Sequence, residues 1–223
     1  IIDLVNTLPT QWLARAKFNK QSLRSLLGRE GGIDRPHVYL MQPYDPNRRI
    51  IVMLHGLASS PEAWVELANE ILGDEALRQH YQIWQVYYPT NMPVALNHAM
   101  IRRALGETLT HFDPSGQAPA SSDLVLVGHS MGGVIARLMV SSTDQSLVQL
   151  AADHSRLTPQ QIRRIDPMLR FEPFPNVSSA IFIAAPHRGT SVAGGRLGRW
   201  MAGFIRFPIT VLEELAHTLA PNA

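Results

Sequence analysis

Leu124-Val125-Leu126-Val127-Gly128-His129-Ser130-Met131-Gly132-Gly133 is the stretch whose reading decides the fold. Four apolar residues run straight into Gly-His-Ser-Met-Gly, and residues 134–140 continue as an apolar segment at helical spacing. The pattern is a strand, a sharp turn and a helix, with a serine at the apex. A turn this tight strains the serine backbone and leaves no room for side chains two positions before and after it, which Gly128 and Gly132 satisfy. Ser130 then stands clear of the sheet, its hydroxyl open to a base on one side and a substrate on the other. That makes it a candidate nucleophile; a glycine-rich turn that only packs is the competing reading.

The same grammar recurs upstream. Residues 50–54, Ile-Ile-Val-Met-Leu, form a continuous apolar run of the kind expected for a strand covered on both faces. His55-Gly56-Leu57-Ala58-Ser59-Ser60-Pro61 follows, with Ser59 or Ser60 as N-cap and Pro61 in a first helical turn. Trp64, Leu67, Ala68, Ile71 and Leu72 then share one helix face that stops at Gly73. A shorter strand candidate occupies 38–41, and another strand spans 83–88, closed by Pro89 and Pro93. A helix carrying Ala95, Leu96, Met100 and Leu105 comes next. Beyond Ser130, residues 179–185 read as a further buried strand ending at Pro186-His187-Arg188-Gly189-Thr190. Strands alternating with helices predict an α/β fold with a mainly parallel sheet, whose sites lie at the carboxyl ends of the strands. His55-Gly56-Leu57, Ser130 and His187 all fall there.

Two domain segments are read: a helical extension over 1–35 and an α/β domain over 36–223. Leu4, Val5, Leu8, Trp12 and Leu13 carry the amphipathic spacing of the extension, and Trp12, Arg15, Lys17, Phe18 and Lys20 give it some interfacial character. Within the domain, the irregular stretch 141–176 is an insertion or cap, with one helix expected from Thr158. The glycine-rich, then apolar and Arg-dotted stretch 194–223 is a candidate lid, with a core helix as the plainer alternative.

Composition narrows the function. With 223 residues and 45% hydrophobic residues, the chain can bury one sizeable core. A net charge of +2, with no long basic run, argues against nucleic acid as a partner. No cysteine is present, which removes thiolate metal sites and a cysteine nucleophile. A metal site from His55, His129 and His187 lacks any close-spaced ligand pair, and neither a metal nor another cofactor is expected. No segment runs to about 18 uninterrupted apolar residues, so no membrane span is read.

Taken together, His55-Gly56, Gly128-His129-Ser130-Met131-Gly132-Gly133 and Pro186-His187-Arg188-Gly189-Thr190, in that order, resemble the α/β-hydrolase superfamily. The likeness covers residues 48–192 and is to the bacterial lipase and esterase branch that includes deacylases of the GPI inositol-deacylase type. The resemblance implies a serine esterase or lipase that cleaves carboxylic esters through an acyl-enzyme on Ser130. It implies an oxyanion hole at the backbone N–H groups of Leu57 and Met131, with His55, Gly56, Gly128, His129, Gly132 and His187 supporting the site. Hydrophobic acyl esters or lipids are the expected substrates, with peripheral contact to a membrane surface. A bacterial envelope or secreted location is slightly favoured over the cytoplasm. Transfer of the acyl group to another alcohol, and non-catalytic binding on the same fold, are the alternatives.

The superfamily order is Ser, then Asp or Glu, then His. After Ser130 the histidines are His154, His187 and His217. His154 adjoins Asp153 inside the insertion, His217 lies on an apparent helix over 211–219, and His187 belongs to a loop motif. None fits the base well. The general base and its acid are therefore expected beyond Ala223, in a longer natural chain.

Overall fold

The computed structural model describes residues 2–4, 35–143, 160 and 170–187. Six strands form one sheet: β1 (Ile2–Leu4), β2 (His37–Leu40), β3 (Arg49–Leu54), β4 (Tyr81–Tyr87), β5 (Leu124–His129) and β6 (Val177–Ile183), in the spatial order β1-β2-β4-β3-β5-β6. β4, β3, β5 and β6 are mutually parallel, while β2 runs antiparallel to β4. The helices are α1 (Val65–Gly73), preceded by a 3₁₀ turn over Pro61–Trp64, then α2 (Glu75–His80), α3 (Val94–Phe112), α4 (Pro119–Ser122) and α5 (Met131–Met139).

The apolar run of β3 divides between two cores because successive side chains leave a strand on opposite faces. Ile50, Val52 and Leu54 join Trp84, Val86, Tyr88, Leu124 and Leu126 beneath α3 and α5. Ile51 and Met53 join Ile83, Val127, Trp64 and Ala68 on the α1 side. From the central strand β3, the chain passes to β4 on one side and then returns to β5 on the other. The loops after β3 and β5, adjacent strands, therefore leave the carboxyl end of the sheet toward opposite faces, and such ends are where sheets of this kind bind ligands.

Several expectations need correction. Ile2–Leu4 is a strand, paired parallel to β2 with Ile2 opposite Val38, where the apolar spacing predicts helix. An open strand edge offers unpaired N–H and C=O groups, and three residues of extended chain satisfy them where a single helical turn would close only one bond. The rest of the 1–35 extension, apart from Arg35, lies outside the described residues, as do the candidate lid and, apart from Gln160, the helix expected from Thr158. The strand expected over 83–88 begins at Tyr81, and that expected over 179–185 begins at Val177. The latter is not buried: Ile181 is 51% and Ile183 39% exposed. A run of apolar residues reads as a central strand, but β6 pairs only with β5 among the described residues. On α1, Leu67 is exposed although its spacing places it with Ala68. Ser60 is the N-cap of the turn preceding α1, but its hydroxyl donates to Glu62 instead of capping the backbone.

One buried polar side chain holds the entry to β3. Gln82 is fully buried; its Nε2 donates to the carbonyls of Asp45 (2.6 Å) and Arg48 (2.7 Å), and its Oε1 accepts from the Asp45 N–H (3.3 Å). Gln82→Leu leaves those backbone groups unpaired and is expected to lower unfolding stability by about 2 kcal/mol, as measured by urea denaturation.

Candidate active site

Ser130 occupies the single residue between β5 and α5, with φ 51° and ψ −116°, a conformation that side chains disfavour. It persists because its surroundings determine it on three sides. The Ser130 N–H donates to the carbonyl of Ile183 at 2.9 Å, tying the turn to the end of β6. Its own carbonyl accepts from Gly133 (3.0 Å) and Val134 (3.2 Å), opening α5. The third constraint is steric: a Cβ on Gly132 would run into the backbone of Leu54 and His55, and one on Gly128 into the backbone of Gly132 and Gly133. The first turn of α5 thus lies directly on the carboxyl end of β3 with no side chain between them.

That contact brings the two loops together. A Cβ on Gly56 would stand 3.2 Å from the Ser130 Cβ and 2.9 Å from Nδ1 of His129. Gly56 is buried, Leu57 is half-buried and Met131 is buried at the first position of α5. Among the described residues neither the Leu57 nor the Met131 N–H is given to a protein acceptor. The start of α5 also carries the positive end of a nine-residue helix. Positive φ at non-glycine residues recurs on this edge of the sheet: Ala58 (54°), Ser130 (51°) and Ala184 (48°) follow β3, β5 and β6. Strain of this kind gathers where geometry is held for function.

His55 is wholly buried at the end of β3. Burial pushes its imidazole down to about 4, so the ring is neutral at any pH above that. Its Nδ1 lies 3.0 Å from the Gly56 carbonyl, its Nε2 accepts from the Tyr88 N–H at 3.4 Å, and its ring stacks on that of Tyr88 at 4.3 Å. A buried neutral ring engaged at both nitrogens is not placed to take a proton from Ser130. His129 ends β5 and is exposed, its ring against Gly56. His187 is exposed after β6 and meets Phe182 edge-on at 4.8 Å. Among the described residues, no side chain hydrogen-bonds to the Ser130 hydroxyl and no cluster of three or more His, Asp or Glu could hold a metal ion. His154 and His217 lie outside the described residues.

The structure adds residues that motif reading passes over. Tyr88 and Thr90 are buried and hydrogen-bonded to the end of β3 and its loop, and Asn97 on α3 is buried and bonded to the loop after β4. The signal of Tyr88 and Thr90 was a Tyr88-Pro89-Thr90 cluster following an apolar strand, which reads as a mere stop because Pro dominates it.

The family described as "Putative serine esterase (DUF676)" matches residues 45–202. No curated protein matches the chain. Solved structures that are similar include a Bacillus licheniformis lipase, BlEst2 in its mature form, at 19% identity and TM-score 0.44, with 81% of this chain and 62% of that one covered. A thermophilic esterase, Est2, from the planctomycete Thermogutta terrifontis is 19% identical at TM-score 0.41, with coverage of 68% and 48%. Esterase B from Lactobacillus rhamnosis is 12% identical at TM-score 0.49, with coverage of 87% and 64%. The chain spans less than two thirds of the length of each. With the family match spanning the β3 loop, the Ser130 turn and the His187 loop, the chain belongs to this family.

Proposed function

We propose that Ser130 is the nucleophile of a carboxylic-ester hydrolase and that the backbone N–H groups of Leu57 and Met131 form its oxyanion hole. The observation that carries the proposal is the strained Ser130 turn pressed, through Gly132, onto the end of β3. Nothing in the packing of a simple βα turn calls for a non-glycine residue at φ 51°.

In this reading Ser130 Oγ attacks the ester carbonyl carbon as a base removes its proton. The carbonyl oxygen becomes an oxyanion held by the two N–H groups, each worth about 3 kcal/mol of barrier. The C–O bond to the alcohol then breaks, the base returns the proton to the leaving alcohol, and water releases the acyl group from Ser130 by the reverse sequence. The base and its orienting acid come from outside the described residues. A hydrophobic acyl ester is the favoured substrate, supported by the apolar, Arg-dotted composition of residues 196–212.

Ser130→Ala is expected to abolish both ester hydrolysis and labelling by an organophosphonate, read by mass spectrometry of the labelled peptide. Persistent turnover would move the nucleophile elsewhere. Gly132→Ala must push α5 off β3 and is expected to lower kcat on a short-chain p-nitrophenyl ester about 100-fold or more. Deleting residues 196–212 is expected to reduce hydrolysis of aggregated long-chain esters far more than of dissolved short-chain ones; equal loss on both would remove the lipid preference.

A further inference from the structure

The Leu57 N–H can serve an oxyanion only if its direction is set before substrate arrives, and the structure contains the parts that set it. Two peptide groups flank the α-carbon of Leu57. In the first, the Gly56 carbonyl and the Leu57 N–H share one plane and point in opposite directions, so fixing the oxygen fixes the N–H. Tyr88 offers its backbone N–H to Nε2 of His55, and a backbone N–H can only donate. Nε2 is therefore the acceptor, the ring proton sits on Nδ1, and Nδ1–H donates to the Gly56 carbonyl at 3.0 Å. The Leu57 N–H then points away from the imidazole.

The second peptide group is held separately. The N–H of Ala58, itself at φ 54°, donates to Oγ1 of Thr90 at 3.3 Å. The Tyr88 hydroxyl donates to the carbonyl of His55, fixing the root of the loop. Tyr88 and Thr90 are each wholly buried. Their segment is anchored in turn: Nδ2 of Asn97 on α3 donates to the carbonyls of Pro89 (2.9 Å) and Met92 (3.4 Å). The Tyr88 and Thr90 bonds join the loop after β4 to the end of β3 and its loop, and none involves Ser130.

We propose that Tyr88 and Thr90 are positioning residues for the reaction: the Tyr88 hydroxyl holds the His55 carbonyl at the root of the loop, Thr90 holds the Leu57–Ala58 peptide through the Ala58 N–H, and together they aim the Leu57 N–H. The proposal rests on the reading of Ser130 and Leu57 above. It differs from a packing role in what it affects: a packed residue sets stability, whereas an aiming residue sets how strongly a tetrahedral oxyanion is bound. Burial keeps the His55 ring neutral across the pH range in which esterases are assayed, so the arrangement persists through that range.

The test compares Thr90→Val, Thr90→Ser and Tyr88→Phe with the parent in the intact natural protein. The readouts are kcat and KM on a soluble p-nitrophenyl ester, inhibition by an alkyl trifluoromethyl ketone as a tetrahedral analogue, phosphonate labelling of Ser130 and melting temperature. Thr90→Val and Tyr88→Phe are expected to lower kcat about 10- to 100-fold with KM nearly unchanged. Affinity for the trifluoromethyl ketone should fall by a similar factor, while Thr90→Ser, which keeps the oxygen, restores both. If both variants keep parental kcat and ketone affinity while Ser130 is still labelled, the positioning role is overturned and the nucleophile reading stands. If melting temperature falls while kcat and ketone affinity of the folded fraction do not, the residues are packing only and the proposal is again overturned. A parent protein that neither hydrolyses esters nor is labelled at Ser130 removes the reading of the site itself.

Discussion

The first turn of α5 rests on the carboxyl end of β3 with bare backbone on both sides, and the rest of the site depends on that contact. Gly132 meets the backbone of Leu54 and His55 where any Cβ would collide. Interiors are packed densely enough that even one methyl group there must displace an element, and here the elements are a helix and the central strand. The approach explains why the serine tolerates φ 51°: a relaxed turn would lift α5 off the sheet and break the Ser130 N–H bond to Ile183. Strain at one residue is offset by burial of Met131, Ile135, Ala136 and Met139 beneath it.

Electrostatics follow from the same closeness. Among the described residues, the two wholly buried ionisable rings beside the site, His55 and Tyr88, are both held neutral by burial. In the proposed reaction, negative charge developing on the ester carbonyl oxygen would be met by backbone dipoles, the N–H groups of two loops and the start of α5. Dipoles held in place need no reorganisation when charge appears, which is what makes them effective away from water.

How much of this was legible in the sequence depended on whether the signal was local. The Ser130 turn, the β3 run and the course of α3 are written in adjacent residues: glycine at fixed offsets, an apolar run, an amphipathic period. The exposure of Ile181 and Ile183 was not, because an apolar strand reads the same whether or not another element covers it. The strand at Ile2–Leu4 was hidden for a related reason: pairing with β2 is a long-range choice that outweighs the helical spacing of three residues. The site was legible to the same degree. Its glycines and serine stood out as motif; Tyr88 and Thr90 did not, since their roles exist only once register aligns the ends of β3 and β4, Leu54 beside Val86.

That register also accounts for how the work is divided across the sheet edge. β4 ends level with β3, so the loop after β4 is the nearest rigid body to the loop after β3, and α3 anchors it through Asn97. On the other side, β6 ends level with β5, and its Ile183 carbonyl takes the Ser130 N–H. Each half of the proposed oxyanion hole is thus secured by a different neighbouring strand, while Gly132 and Gly56 set the distance between the halves. A site built in this way can keep its geometry without help from the substrate, and residues that supply a base need only reach a serine whose position is already decided.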